Sequence, residues 1–254
     1  MLILLPPSET KRDGGITGSS LDLGALSFAS LSRSRRAAIA GLRSVSKTLA
    51  GSMAALKLGS TQRFEIERNR ALSTSPVTPA IERYTGVLYD ALDVASLDAD
   101  ARAFVSANVV IHSALFGLVR ADDPLPAYRF SHDSRIPGTS LSKLWGGPIA
   151  AVLADVDGLI LDLRSESYVH LGPAPIRDES VFLRVVADDG TGATRALNHF
   201  NKHGKGELVR ALAVSSRDFD SVASLAEWAA SVGIRLTPGA AGELDLVVPS
   251  SPVE

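Results

Sequence analysis

Short apolar runs alternate with stretches of helical periodicity along the whole chain. Longer stretches with apolar residues three and four apart predict helices over Leu31–Leu58, Ala80–Leu92, Asp98–Asn108, Leu141–Leu153, Asn198–Val214 and Ser221–Val232. The continuous apolar runs predict buried strands at Leu2–Leu5, Val109–Ile111, Leu159–Leu163, Val181–Ala187, Ile234–Leu236 and Leu244–Val248. Strands interleaved with helices from residue 2 to residue 248 predict a mixed α/β fold around a central sheet.

The breaks between these elements carry further predictions. Ser30 or Ser32 is the expected cap of the first helix, and Gly41 and Gly51 are candidate interruptions of it. Pro148 is expected to break or restart the helix that Ser140 caps. No long linker rich in proline, glycine or charge is found, so residues 1–254 are predicted to form a single compact domain.

Composition narrows the possible functions. The chain carries 26 basic and 28 acidic residues and a formal net charge of −2, so any site for a polyanion must be local. Cysteine is absent, which excludes disulfides, zinc–thiolate sites and thiol peroxidase chemistry. No apolar stretch approaches the ~18 residues of a membrane span, and the start MLILLPPSE lacks a basic leader. We therefore expect a cytoplasmic protein with no membrane partner.

The segment Ser113–Phe130 places two arginines, Arg120 and Arg129, in a span broken by glycine and proline. Guanidinium groups grip phosphate or carboxylate with paired hydrogen bonds, so the pair is a candidate anion clamp. Tyr128 adds a flat face for stacking. The alternative is an irregular connection with surface arginines.

A second basic segment, NKHGKG, contains Lys202, His203 and Lys205. Gly204 and Gly206 would let backbone approach a ligand, and a helix starting here would direct N–H groups at an anion. The segment is a candidate phosphate cradle whose charge depends on pH through His203. The alternative is a solvated helix face.

His199 and His203 are spaced to share one helix face, but no H-E-x-x-H motif is present. We therefore predict no metal site and no cofactor.

Polar residues follow two of the predicted strands. Ser165, Glu166 and Tyr168 come directly after Leu159–Leu163, where Ser165 and Glu166 either cap a following helix or serve a ligand as hydrogen-bonding groups and general base. After the first strand, Lys11 lies in a hydroxyl-rich turn that is either an anion contact or an ordinary loop.

Six segments match the pattern of a known family in the right order. They are LILLPPSETK (2–11), YTGVLYDAL (84–92), LFGLVR with YR (115–120 and 128–129), LWGG (144–147), LDLRSESY (161–168) and FNKHGKG (200–206). Together they make the chain resemble the YaaA-type peroxide stress proteins over most of its length. The chain departs from the family pattern at Glu9 and His203, where the family has lysine, and at Ser167, where it has glutamate.

The resemblance implies a YaaA-like α/β fold, a role in the response to hydrogen peroxide, and a basic cleft that binds double-stranded DNA or another polyanion. The resemblance also implies that the protein limits oxidative DNA damage by keeping the level of unincorporated iron low. A helix-turn-helix around Gly117 is one way to present backbone amides to DNA. The contacts that we expect on this hypothesis are Lys11, Arg120, Tyr128, Arg129, Ser165, Lys202, His203 and Lys205.

Two other hypotheses remain open. One is an enzyme acting on a phosphorylated or nucleotide-like small molecule, with Glu166 as general base and Ser165 and Tyr168 as orienting groups. The other is direct iron sequestration by Asp162, Glu166, His170 and His203. An open groove favours DNA, whereas an enclosed pocket favours a small molecule.

Overall fold

The computed structural model describes residues 1–188, 194–196 and 200–249. Its strands are β1 (Leu2–Leu5), β2 (Thr78–Pro79), β3 (Val109–Ser113), β4 (Gly117–Arg120), β5 (Pro124–Leu125), β6 (Ile160–Asp162), β7 (Ser180–Asp188), β8 (Thr194–Ala196), β9 (Arg235–Pro238) and β10 (Glu243–Pro249). Its helices are α1 (Ser32–Val45), α2 (Leu49–Leu56), α3 (Phe64–Arg70), α4 (Ala80–Arg83), α5 (Val87–Leu92), α6 (Ala99–Asn108), α7 (Leu141–Ala154), α8 (Glu166–Val169), α9 (Phe200–Ser215) and α10 (Val222–Ser231).

The main sheet runs in the order β4-β3-β1-β6-β7-β10-β9, with β8 paired to β7. Strands β3, β1, β6, β7 and β10 are parallel, whereas β4, β8 and β9 pair antiparallel to their neighbours. All four residues of β1 are buried, as expected for an interior strand of a parallel sheet. The predicted α/β fold around a central sheet is confirmed.

The long helix predicted over residues 31–58 is two helices. Thr48 caps α2, its side chain accepting a hydrogen bond from Gly51 N, so Gly51 begins a helix instead of interrupting one. Gly41 lies inside α1, where a Cβ would come within 2.8 Å of Ile136 Cβ. The predicted serine cap of α1 is wrong, because the residue before the helix is Leu31 in a helical conformation.

The helix predicted over residues 80–92 is also divided. The backbone N–H of Thr85 donates to Thr10 O, and Lys11 forms a β-bridge with Tyr84. Pairing with the N-terminal segment therefore overrides helical propensity, and Gly86 continues with a φ of 100°. By contrast, α7 continues through Pro148, so the break predicted at that proline is wrong. Ser140 caps the helix, as the sequence predicted.

Residues 117–120 form a strand, so the helix-turn-helix expected around Gly117 is wrong. Gly117 turns the chain between β3 and β4 with a φ of 69°, and a Cβ there would lie 2.6 Å from the Trp145 ring. The Trp145 indole N–H donates to Ala114 O over 2.8 Å, which fixes the ring against the turn. Within the described residues no helix has the length and apolar character needed to cross a membrane.

Candidate functional site

A pocket of about 490 Å³ opens where β1 and β6 end. The segment after β1 forms one wall, the first turns of α9 form another, and the segments around residues 85–89, 130–132 and 163–168 complete it. Carboxyl ends of parallel strands are the usual ligand side of an open α/β sheet. Its lining residues are Pro6, Pro7, Ser8, Glu9, Thr85, Gly86, Val87, Leu88, Tyr89, Phe130, Ser131, His132, Leu163, Ser165, Tyr168, Asn201, Lys202 and Lys205.

The N-terminal wall carries a cluster of hydroxyl groups. Ser8 Oγ lies 3.2 Å from Thr10 Oγ1, and the Thr85 hydroxyl donates to Thr10 Oγ1 over 3.0 Å. Tyr89 fixes this wall, since its hydroxyl donates to Pro6 O over 2.8 Å. The wall therefore offers uncharged donors and acceptors of the kind that orient a phosphate or sugar.

The α9 wall carries the two lysines of the second basic segment. Lys202 is exposed, whereas Lys205 is only 4% exposed and donates to Leu163 O over 3.0 Å. Burial is the main reason that the pKa of Lys205 falls to about 8. Asn201 Oδ1 is buried beside them without a hydrogen-bond partner in the described part of the chain. This wall is cationic and incompletely hydrogen-bonded.

The glycines of this segment serve packing and not ligand approach. A Cβ on Gly206 would lie 2.2 Å from Leu88 O, so Gly206 allows α9 to approach α5 closely. A Cβ on Gly204 would lie 3.2 Å from Val248 Cγ1. The expectation that both glycines face a ligand is wrong.

Lys11 and Arg129 lie behind the N-terminal wall. Lys11 is buried and donates to Ser8 O over 2.9 Å, and burial is the largest cause that lowers its pKa to about 7. Arg129 Nη2 donates to Glu9 Oε2 over 2.6 Å. The structure therefore brings both cations near the pocket but behind residues that line it.

Tyr128 does not offer the open stacking face that the sequence predicted. Its ring is 1% exposed, and its hydroxyl lies 2.7 Å from both Tyr84 Oη and Ser113 Oγ. The Lys11 ammonium lies 4.2 Å from its ring centroid. The Tyr128 ring therefore stabilises the Lys11 ammonium by a cation–π contact.

Arg120 lies at the opposite end of the strands from the pocket. Strand β4 runs antiparallel to β3, so Arg120 is paired with Val110, near the start of β3, and its guanidinium donates to Ala107 O over 2.8 Å. The expected clamp of Arg120 with Arg129 is therefore not formed, because the hairpin carries the two arginines to different ends of the strands.

The remaining predicted residues divide between the pocket and the surface. Ser165 stands at the N-cap position of α8, makes no side-chain cap hydrogen bond and lines the pocket. Glu166 is exposed and paired with Arg184 over 3.1 Å. His203 is exposed and lies 3.3 Å from Glu207 one turn later. Glu166 does not line the pocket, whereas its neighbour Ser165 does.

The residues expected to hold iron are dispersed. Both carboxylate oxygens of Asp162 accept hydrogen bonds from Arg164, at 2.8 and 2.6 Å. No group of three metal-ligating side chains occurs among residues 1–188, 194–196 and 200–249, and His199 lies outside those ranges. The described residues give no support to direct iron sequestration.

Sequence reasoning missed a buried network next to the pocket. Arg164 Nη1 donates to His112 Nδ1 over 2.9 Å, and burial followed by the charge of Arg164 holds the pKa of His112 well below its usual range. The ring of Tyr168 lies between His112 and the pocket residue His132, at centroid distances of 5.3 and 5.5 Å. The run of apolar residues around His112 predicts only a strand, so no local signal identifies this contact.

A family model described as peroxide stress protein YaaA matches residues 1–232. The chain belongs to this family. The chain is similar to a UPF0246 protein of Corynebacterium glutamicum, with 42% identity covering 98% of this chain and 100% of that protein. A UPF0246 protein of Corynebacterium efficiens is 41% identical with the same coverage. A UPF0246 protein of Streptomyces coelicolor is 38% identical, with 92% of this chain and 90% of that protein covered. Membership of the YaaA family confirms the resemblance and supports a general role in oxidative stress.

Proposed function

We propose that this protein acts in the response to peroxide by binding a phosphate-bearing ligand of nucleotide size in the pocket at the ends of β1 and β6. The family supports the stress setting, and the pocket supports the class of ligand. A volume of about 490 Å³ falls within the usual range of small-molecule sites, about 300–1,000 Å³. Duplex DNA would lie across the mouth of such a pocket.

The observation that carries the proposal is the buried ammonium of Lys205. An ammonium has three N–H donors, and the hydrogen bonds of the described residues use one of them, to Leu163 O. Keeping a lysine in this position is costly, as its lowered pKa indicates. An anionic ligand would compensate the charge and occupy the remaining donors, together with Lys202 and the N-terminus of α9.

Isothermal titration calorimetry with inorganic pyrophosphate and with AMP tests this function. Lys202→Ala is expected to weaken binding about tenfold, because it removes one charge-assisted contact from an exposed position. Lys143→Ala removes an exposed lysine of α7 that does not line the pocket, and is expected to bind as the wild type does. No binding by the wild type, or an equal loss in both variants, contradicts the proposal.

A second candidate is binding of DNA phosphates, with protection of DNA from iron-driven damage as its consequence. The observation that favours it is the exposure of Lys202, which lines the pocket, and of its neighbour His203 on the first turn of α9. Backbone contacts would make binding tolerant of sequence and strongly dependent on salt.

Fluorescence anisotropy with duplex DNA across a salt series separates the two candidates. If DNA sits over the pocket, Lys202→Ala lowers the salt slope by about one phosphate contact and pyrophosphate competes with the duplex. Arg120→Ala is the matched control, because Arg120 lies at the opposite end of the strands from the pocket. Binding that is absent or insensitive to salt contradicts the DNA candidate and leaves the small ligand.

A further inference from the structure

Arg129 is a buried arginine with unused hydrogen-bonding capacity. Its side chain is 10% exposed, and its backbone is held by Asn69, whose side-chain amide bonds both Arg129 N and Arg129 O over 2.8 Å. Nε of the guanidinium is buried and has no hydrogen-bond partner within the described ranges. A guanidinium presents five donors in a planar fork, so this one is positioned but not saturated.

The carboxylate that meets this guanidinium belongs to Glu9, a residue of the pocket wall. The Glu9 side chain is 62% exposed, in contrast to the nearly buried arginine that it contacts. Ion pairs with an exposed partner contribute little to stability, because water competes for the charge and ordering the side chain costs entropy. The contact is therefore easily exchanged for another anion.

The neighbouring charges leave Arg129 dependent on Glu9. Glu65 and Asp13 are both bonded to Arg68, Glu65 over 2.8 Å and Asp13 over 2.9 and 2.6 Å. The Lys11 ammonium donates hydrogen bonds to the backbone carbonyls of Ser8 and Glu9. When the Glu9 side chain turns away, the nearly buried guanidinium directly behind this wall residue is left without its carboxylate.

We infer that Glu9 is a resident carboxylate that the ligand displaces, so that a second anionic group of the ligand binds Arg129 while the first binds at Lys202 and Lys205. The inference rests on the proposed function and narrows its ligand class to compounds with at least two anionic groups, as in a diphosphate. A phosphate oxygen pair reproduces the geometry of the carboxylate that it replaces. Glu9 then acts as an internal competitor that weak monoanions do not overcome.

Calorimetry with inorganic pyrophosphate on Glu9→Gln tests the exchange. We expect Glu9→Gln to bind about fivefold more tightly than the wild type, because the competing carboxylate is gone and the guanidinium is free. Glu166→Gln is the matched control, since Glu166 is also an exposed glutamate paired with an arginine and adjoins a pocket residue. It removes the same charge, but the partly exposed Arg184 keeps its ion pair with Glu243 over 2.6 Å, so the gain is expected to stay below about twofold.

The double variant with Arg129→Gln completes the cycle. Without the guanidinium, Glu9→Gln is expected to give no more gain than Glu166→Gln does. Equal gains from Glu9→Gln and Glu166→Gln, or a Glu9→Gln gain that survives in the Arg129→Gln background, overturn the inference, because both outcomes indicate a long-range charge effect alone.

A second measurement covers the case in which Arg129→Gln does not fold. The ratio of affinities between Glu9→Gln and the wild type is followed from 0.1 M to 1 M salt, conditions that shorten the screening length from about 10 Å to about 3 Å. A direct contact keeps the ratio, whereas a ratio that collapses to one overturns the inference. If the proposed function itself fails, pyrophosphate does not bind the wild type and Lys202→Ala changes nothing, which is a different result.

Discussion

Two groups of buried cations do different work in this molecule. Arg35 and Arg83 are fully buried, and backbone carbonyls surround each of them. Arg35 donates to carbonyls of Leu26, Ser27, Phe116 and Leu118, and Arg83 to carbonyls of Arg12, Gly14, Pro76 and Leu125. These contacts hold the loop that follows β1 against α1, α4, β4 and β5.

The cations at the pocket are buried without that saturation. Lys205 spends one donor on Leu163 O, and Arg129 meets one carboxylate, that of Glu9. Burial costs free energy in both groups, but among the described residues backbone carbonyls offset that cost fully for the first group alone. The comparison teaches that the completeness of hydrogen bonding, and not burial, separates a structural cation from one that is available to a ligand.

Replacing a saturated arginine breaks the first side of this comparison. Arg35→Met is expected to lower the free energy of unfolding by about 3–5 kcal/mol, because it leaves several buried carbonyls without donors. Urea denaturation measures the loss. Arg36→Met, one residue further and exposed, is expected to stay within about 0.5 kcal/mol of the wild type. A loss below about 1 kcal/mol in Arg35→Met would refute the structural role.

The cations at the pocket are tested by a substitution that shifts α9, the helix that carries Lys202 and Lys205. Gly206→Ala is expected to lower the free energy of unfolding by about 1–3 kcal/mol, because its Cβ would lie 2.2 Å from Leu88 O and push α9 away from α5. The same shift separates Lys202 and Lys205 from the opposite pocket wall, so pyrophosphate affinity falls as well. Thermal melting and calorimetry report the two effects.

Gly204→Ala is the control for the helix-propensity gain that both substitutions share. Its Cβ would meet Val248 Cγ1 at 3.2 Å, a contact that a small side-chain adjustment relieves. Equal stability of the two alanine variants would contradict the close packing of α5 on α9.

The sheet could be predicted from the sequence because buried parallel strands read as unbroken apolar runs. The runs around β1, β6, β7 and β10 lie within two residues of the observed strands. The basic segment on α9 could also be predicted, since lysines and a helix start are local features. Both inferences need only residues that are close together in the chain.

What failed depends on contacts between distant segments. Arg120 and Arg129 are nine residues apart, but the antiparallel hairpin places Arg120 beside the start of β3, at the far end of the strands from the pocket. The pairing of Arg129 with Glu9 joins residues 120 positions apart. Gly206 lies in a segment whose composition is typical of a ligand-binding loop, but in the structure it packs α9 against α5. No local pattern carries this information.

The smallest expected effect concerns a single proton, that of Lys205. Its pKa is about 8 in the folded protein and 10.5 for an ordinary lysine, so the unfolded chain binds more protons between these values and stability rises with pH there. From pH 8 to pH 9 the contribution is about 1 kcal/mol. The measurement is the difference in unfolding free energy between the wild type and Lys205→Met, which cancels the separate rise caused by Lys11 with its pKa of about 7. Pyrophosphate affinity of the wild type moves the other way and falls above pH 8, because the ammonium that binds the anion is lost. A flat difference curve from pH 8 to 10.5, or an affinity that does not fall, would show that Lys205 is a saturated structural cation like Arg35.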